Sequence, residues 1–128
     1  MTELHDEEIR RRQLGVNPAT QRYRPLEERA ALRLEQRVGP LRHDPTGTCD
    51  WMDGQGRTYD AVGPVPVGRL HVQAFLRQIT KHLLKQGLDT VVIDLTGFTA
   101  AERRAVFMHL RGLRPTERTR LLLQRSHP

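Results

Sequence analysis

The sequence predicts one small α/β domain: a mixed sheet of about four strands, an N-terminal hairpin joined to parallel strands, with helices packed on it. Three observations predict it. The 128 residues leave room for a single hydrophobic core. Two short apolar runs flank a Gly-rich turn near residue 54, the signature of a hairpin. Strand-like runs around residues 90–95 and 118–124 enclose a helix of crossover length, which places neighbouring strands parallel with a right-handed connection.

Residues 1–24 mix charges with Asn17, Pro18 and Tyr23 and show a helical pattern only over 2–14, so they read as an appended, partly helical arm. Residues 25–128 then form the domain. Pro25 is a good first helical residue, and Leu26, Ala30, Leu34 and Val38 keep helical spacing until Gly39-Pro40 stops it. Residues 41–48 read as loop. Cys49-Asp50-Trp51-Met52 and Arg57-Thr58-Tyr59-Asp60-Ala61-Val62 are the arms of the hairpin, and the Gly63 to Gly68 stretch, with two prolines, is a connecting loop. Over residues 69–86, Val72, Phe75, Leu76, Ile79 and Leu83 mark a helix that Gly87 ends. Thr90 to Leu95 is β-branched and reads as a buried strand. Thr99 with Glu102 is a capping box for a helix that runs to Gly112, and Leu121-Leu122-Leu123 centre the last strand.

Composition narrows the setting. No apolar run approaches the ~20 residues a membrane-crossing helix needs, and the charged start is unlike a secretory signal, so a cytoplasmic protein is expected. Cys49 is the only cysteine, which rules out an internal disulfide and suits a reducing compartment. With 37% apolar residues there is little surface to spare for a large dry interface, and a monomer or weak oligomer is expected. The net charge of +6 favours polyanions, although nineteen of the 21 basic residues are arginine, a bias that genome composition also produces.

Candidate chemistry lies in a few acids and one helix. By helical angle Glu27 falls between Leu34 and Ala31, beside the core-facing stripe, where a carboxylate is costly unless paired or metal-bound; an acid serving the helix dipole gives the same placement. Asp50 and Asp60 occupy opposite arms of the hairpin, from which two carboxylates can share a divalent cation. A turn acid and a strand-end acid are the plain readings, and Asp60 is the less ordinary because strands disfavour aspartate. His71, Gln78, His82 and Lys85 form one stripe on the 69–86 helix, with Lys81 well outside it. A histidine and a lysine one turn apart can donate to a phosphate or stabilise a leaving oxygen, whereas a boundary histidine with its bonds satisfied needs no function. Asp94 and Thr96 end a parallel strand, where open α/β sheets place ligands.

In order and spacing these pieces resemble the C-terminal nuclease domains of CdiA-type contact-dependent inhibition toxins that have a restriction-endonuclease-like core. The resemblance runs through Glu27-Glu28-Arg29-Ala30-Ala31, Gly39, residues 41–45, Asp50-Trp51, the Gly54-Gln55-Gly56-Arg57 turn, Tyr59-Asp60, Pro64, Lys81-His82 and the strand Val91 to Leu95, covering about residues 25–124. It implies a toxin that cleaves transfer RNA with a divalent metal ion, Mg²⁺ or similar, and a cognate immunity protein. It further implies Glu27 or Glu28, Asp50 and Asp60 as metal-site acids. In the mechanism so implied, Glu27, Asp50 and Asp60 hold the ion while His82 and Lys85 stabilise charge at the scissile phosphate; Arg57, Arg77, Gln78 and Lys81 are assigned to the RNA. One position departs from the pattern: the lysine that many such cores place two residues after the second acid is Val62. Either His82 or Lys85 supplies that charge from the helix, or the domain is a non-catalytic binding module. Metal-free cleavage through His82 and the RNA 2′-hydroxyl is the third reading.

Overall fold

A computed structural model describes residues 2–126. In chain order the elements are α1 (Thr2–Leu14), α2 (Pro25–Val38), β1 (Leu41–His43), β2 (Trp51–Asp53), β3 (Thr58–Val62), α3 (Val72–Leu83), β4 (Thr90–Asp94), α4 (Ala100–Arg111), the single turn α5 (Pro115–Arg118) and β5 (Leu121–Gln124). The strands form one five-stranded sheet in sequence order, β1-β2-β3-β4-β5. β1, β2 and β3 are antiparallel neighbours, and β3, β4 and β5 run parallel.

The extra strand is β1, from the segment read as loop. Three residues after Gly39-Pro40 are too few to display an alternation, yet Leu41 is buried while Arg42 is exposed, and the segment pairs with β2 from Leu41 opposite Asp53 to His43 opposite Trp51. Two side chains shape the hairpins on either side of β2. Asp44 accepts from the backbone N–H groups of Thr46, Thr48 and Cys49 and from both threonine hydroxyls, which holds its carboxyl far below the usual range. Asp53 accepts from Gln55 and Arg57 N–H groups, the Arg57 guanidinium and the Tyr59 hydroxyl, and is lowered to about 2 despite burial.

The sheet separates two apolar layers, as period-2 alternation requires. On one face Val62, Val91 and Ile93 meet Phe75, Ile79 and Leu83 of α3 and Val106 and Leu110 of α4. On the other, Trp51, Tyr59 and Val92 meet Ala30, Ala31 and Leu34 of α2 together with Leu14 of α1. The 2–24 segment therefore contributes to the core. Leu14 is 1% exposed and its carbonyl accepts from the Trp51 indole N–H at 2.8 Å; Arg10 bonds Glu35 and the Leu41 carbonyl; Arg12 lies over the Tyr23 ring.

Beyond β3 the chain leaves through Gly63, whose φ of +80° and close approach to the Asp94 carbonyl both demand glycine. The capping box foreseen at α4 is formed: Thr99 and Glu102 exchange side-chain and backbone bonds. Among the described residues no helix is long and apolar enough to cross a membrane.

Candidate active site

The register of β2 on β3 ends at Trp51 opposite Tyr59; one step outward Asp50 N–H still reaches the Tyr59 carbonyl at 3.0 Å, and the side chains of Asp50 and Asp60 add bonds across the same strand ends. They do so reciprocally. Asp50 N–H donates to Asp60 Oδ1 at 2.8 Å, and Ala61 N–H donates to Asp50 Oδ2 at 2.8 Å. Asp60 points to the α3 side, where the period-2 partner Val62 also points, and there it meets the end of that helix. Lys85 Nζ donates to Asp60 Oδ2 at 2.7 Å, and His82 Nε2 lies 3.8 Å from the same oxygen. His82 Nδ1 donates to the Gln78 carbonyl at 2.7 Å, which leaves Nε2 of the neutral ring with its lone pair free.

Of these groups His82 borders a cleft of about 360 Å³, and Ala61, whose N–H donates to Asp50, lines it as well. Glu27 from α2 and Gln78 and His82 from α3 line it, together with the Gly63-Pro64-Val65 segment; Pro64, Val65, Leu70 and Phe75 supply apolar wall, and Arg69 and His71 also line it. His71 also caps α3, accepting from Ala74 N–H.

Electrostatics set the acids apart. Burial, the neighbouring Asp60 charge and, to a lesser degree, Glu27 push the Asp50 carboxyl up to about 7, against the opposing pull of Ala61 N–H and Lys85. Burial also raises Glu27, and Arg24 at 4.0 Å offsets part of this. Cys49, beside Asp44, is buried with its thiol pushed up to about 12, which keeps it un-ionised and inert.

Asp50, Asp60, His82 and Lys85 thus come together, and His82 shares the cleft with Glu27. As placed, the acids do not offer three free carboxylates to one ion: both oxygens of Asp60 and one of Asp50 are engaged by Lys85 and backbone N–H groups. Among the described residues no group of three or more His, Cys, Asp and Glu is arranged to hold a metal ion. Of the residues assigned to RNA, Gln78 borders the cleft; Arg77 and Lys81 line a separate depression beside α4; Arg57 sits in the hairpin turn on Asp53 at 2.8 Å. Asp94 is wholly buried and serves structure, its carboxylate taken by Arg33, Gln124 and Thr96 N–H. Arg69 was not singled out in the sequence, because it stands at the foot of α3 among residues with no pattern of their own.

The fold is that of a small α/β domain in which a hairpin and a parallel βαβ unit share one sheet, and in this chain an acid, acid, lysine and histidine cluster lies where they join. The chain is similar to one chain of the solved structure of the CdiA-CT toxin from Burkholderia pseudomallei E479 in complex with its cognate CdiI immunity protein, at 22% identity and a TM-score of 0.66, over 78% of this chain and 98% of that one. This likeness is one of fold. No protein-family model and no curated protein matches the chain.

Proposed function

We propose that the chain is a toxin domain that cleaves RNA, transfer RNA by the resemblance of its motifs, in the cytoplasm of a target cell, and that a cognate immunity protein neutralises it. The fold shared with a chain of a toxin and immunity-protein complex supports the toxin reading. The observation that carries the chemistry is Lys85 Nζ 2.7 Å from Asp60, beside an Asp50 carboxyl that keeps its proton to about pH 7. Lys85 stands in for the positive charge missing at position 62, where Val62 is buried in the core, and this favours an active domain over a binding module.

In this reading an RNA strand lies along the cleft with one base against the Pro64, Val65 and Leu70 wall. His82 Nε2 takes the proton of the ribose 2′-hydroxyl as the 2′-oxygen bonds to phosphorus. The bond from phosphorus to the 5′-oxygen breaks, and Asp50 gives its proton to that oxygen. Lys85 stabilises the charge on the non-bridging oxygens, and Asp60 orients Lys85. The products are a 2′,3′-cyclic phosphate and a 5′-hydroxyl. A metal-assisted route asks Asp60 to exchange Lys85 for an ion, because the acids as placed are already engaged.

The test is to incubate the purified chain with total transfer RNA, with and without chelator, and to identify the new ends. Cleavage in both samples with cyclic phosphate ends supports the metal-free route, and cleavage only without chelator transfers the reaction to a bound metal. Intact RNA in both, with folded protein, removes the nuclease. Lys85→Met is expected to lower kcat about 10²- to 10⁴-fold, the range for loss of one acid–base or charge-stabilising group.

A further inference from the structure

A second groove, of about 680 Å³, lies on the α2 side of β5 and takes no part in the chemistry above. Three arginines line it. Arg33 gives Nε and Nη2 to Asp94 Oδ2, leaving Nη1. Arg37 gives Nη1 to the Leu123 carbonyl at 2.6 Å, leaving Nε and Nη2. Arg125 is exposed, and among the described residues the one acid paired with any of the three is Asp94. The groove is therefore cationic, with unused donors.

Its floor has a second peculiarity. Gln124, 9% exposed, donates through Nε2 to the Ala30 carbonyl at 2.9 Å and to Asp94 at 2.8 Å, so its amide orientation is fixed. The opposite atom, Oε1, is buried without a donor among the described residues. The unused guanidinium donors suit a ligand that presents anionic oxygens in a row, as a phosphodiester backbone does.

α2 sets the spacing to the active site. It crosses the carboxyl ends of the parallel strands, with Glu27 on the catalytic cleft and Arg33 and Arg37 on the second groove. At 1.5 Å per helical residue these arginines stand ~9 and ~15 Å along the axis from Glu27, a span of a few nucleotides. We propose that this groove holds the phosphodiester backbone of the same RNA strand, a few nucleotides from the one in the cleft. This rests on the nuclease reading for its geometry, and its test reads binding alone.

The experiment is fluorescence anisotropy of the full chain with a labelled single-stranded RNA of about 12 nucleotides, titrated across salt. Arg37→Ala with Arg125→Ala is compared with Arg104→Ala with Arg111→Ala, an equal charge change on α4 beyond the opposite face of the sheet. At about 0.1 M salt the groove pair is expected to weaken binding at least tenfold and to lower the log–log salt slope by about 1.4, two phosphate contacts' worth; the α4 pair moves both far less. Equal losses in the two variants overturn the proposal, because net charge alone then accounts for binding. Poly-glutamate binding to the unsubstituted chain as tightly as RNA does, and losing affinity equally in the groove variant, overturns it in favour of an acidic polypeptide partner. A chain that binds in this way without cleaving RNA leaves the groove standing and refutes the nuclease; one that cleaves RNA with unchanged binding in the groove variant does the reverse.

Discussion

Asp50 holds a proton near neutrality because its carboxyl is desolvated and faces Asp60, and that proton carries a stability cost that can be measured. Unfolded, the carboxyl ionises near its ordinary 3.8; folded, it ionises near about 7. Between those values the unfolded state releases a proton that the folded state retains, so this residue's contribution to stability falls as pH rises through the window and levels off above it. Asp53, lowered to about 2, has the opposite sign, losing stability only as pH falls toward that value, and does not obscure the effect. Asp50→Asn keeps an oxygen to accept from Ala61 N–H and has nothing to titrate. Urea melts at about pH 4.5 and about pH 7.5 are expected to show the variant gaining on the unsubstituted chain at the higher pH. A constant difference would mean that Asp50 ionises normally and has no proton to give. In the sequence Asp50 and Asp60 were visible as acids at matching places on a hairpin. Their bonds across the two strands were not, because these depend on β2 beginning one residue after Asp50.

At the scale of elements, α2 ties the sheet together, and its most consequential residue was hidden. Arg33 reads as one of many surface arginines, yet it meets the wholly buried Asp94 at 2.7 Å across 61 residues of chain. Asp94 had looked like a ligand position because it ends a parallel strand. The contrast with α4 is physical: Thr99 and Glu102 lie three residues apart and declare their capping box locally, whereas a pair joined by tertiary packing leaves no local trace. β1 was missed for a related reason, since three residues carry no period. Arg33→Ala leaves a buried carboxylate without its cation and is expected to cost about 3–5 kcal/mol in a denaturant melt. Arg33→Met combined with Asp94→Asn removes both charges and should recover much of that loss. A single variant within about 0.5 kcal/mol of the parent chain would show that Asp94 finds another partner or a proton.

For the whole molecule the open question is where the folding unit starts. Charge and a weak helical pattern marked residues 1–24 as an arm, and most of α1 is indeed exposed. Its last residue is the exception that joins it to the domain. Leu14 closes the core on the α2 side of the sheet, and its carbonyl is the partner of the Trp51 indole, itself 1% exposed. A chain of residues 25–128 loses about 1.5–3 kcal/mol for one leucine's burial and about 1–3 kcal/mol for an indole N–H left without its partner, a large share of the ~5–15 kcal/mol that holds a domain folded. The truncated chain is therefore expected to unfold at least about 2.5 kcal/mol more easily, with the emission of Trp51, the single tryptophan, moved to longer wavelength. Equal stability with unchanged emission would restore the arm as a mere appendage. The consequence reaches the chemistry because Asp50 precedes Trp51 in the chain. Loosening the indole loosens the strand end that sets Asp50 against Asp60, so under the proposed nuclease function a truncated domain should lose RNA cleavage under conditions where it is still mostly folded.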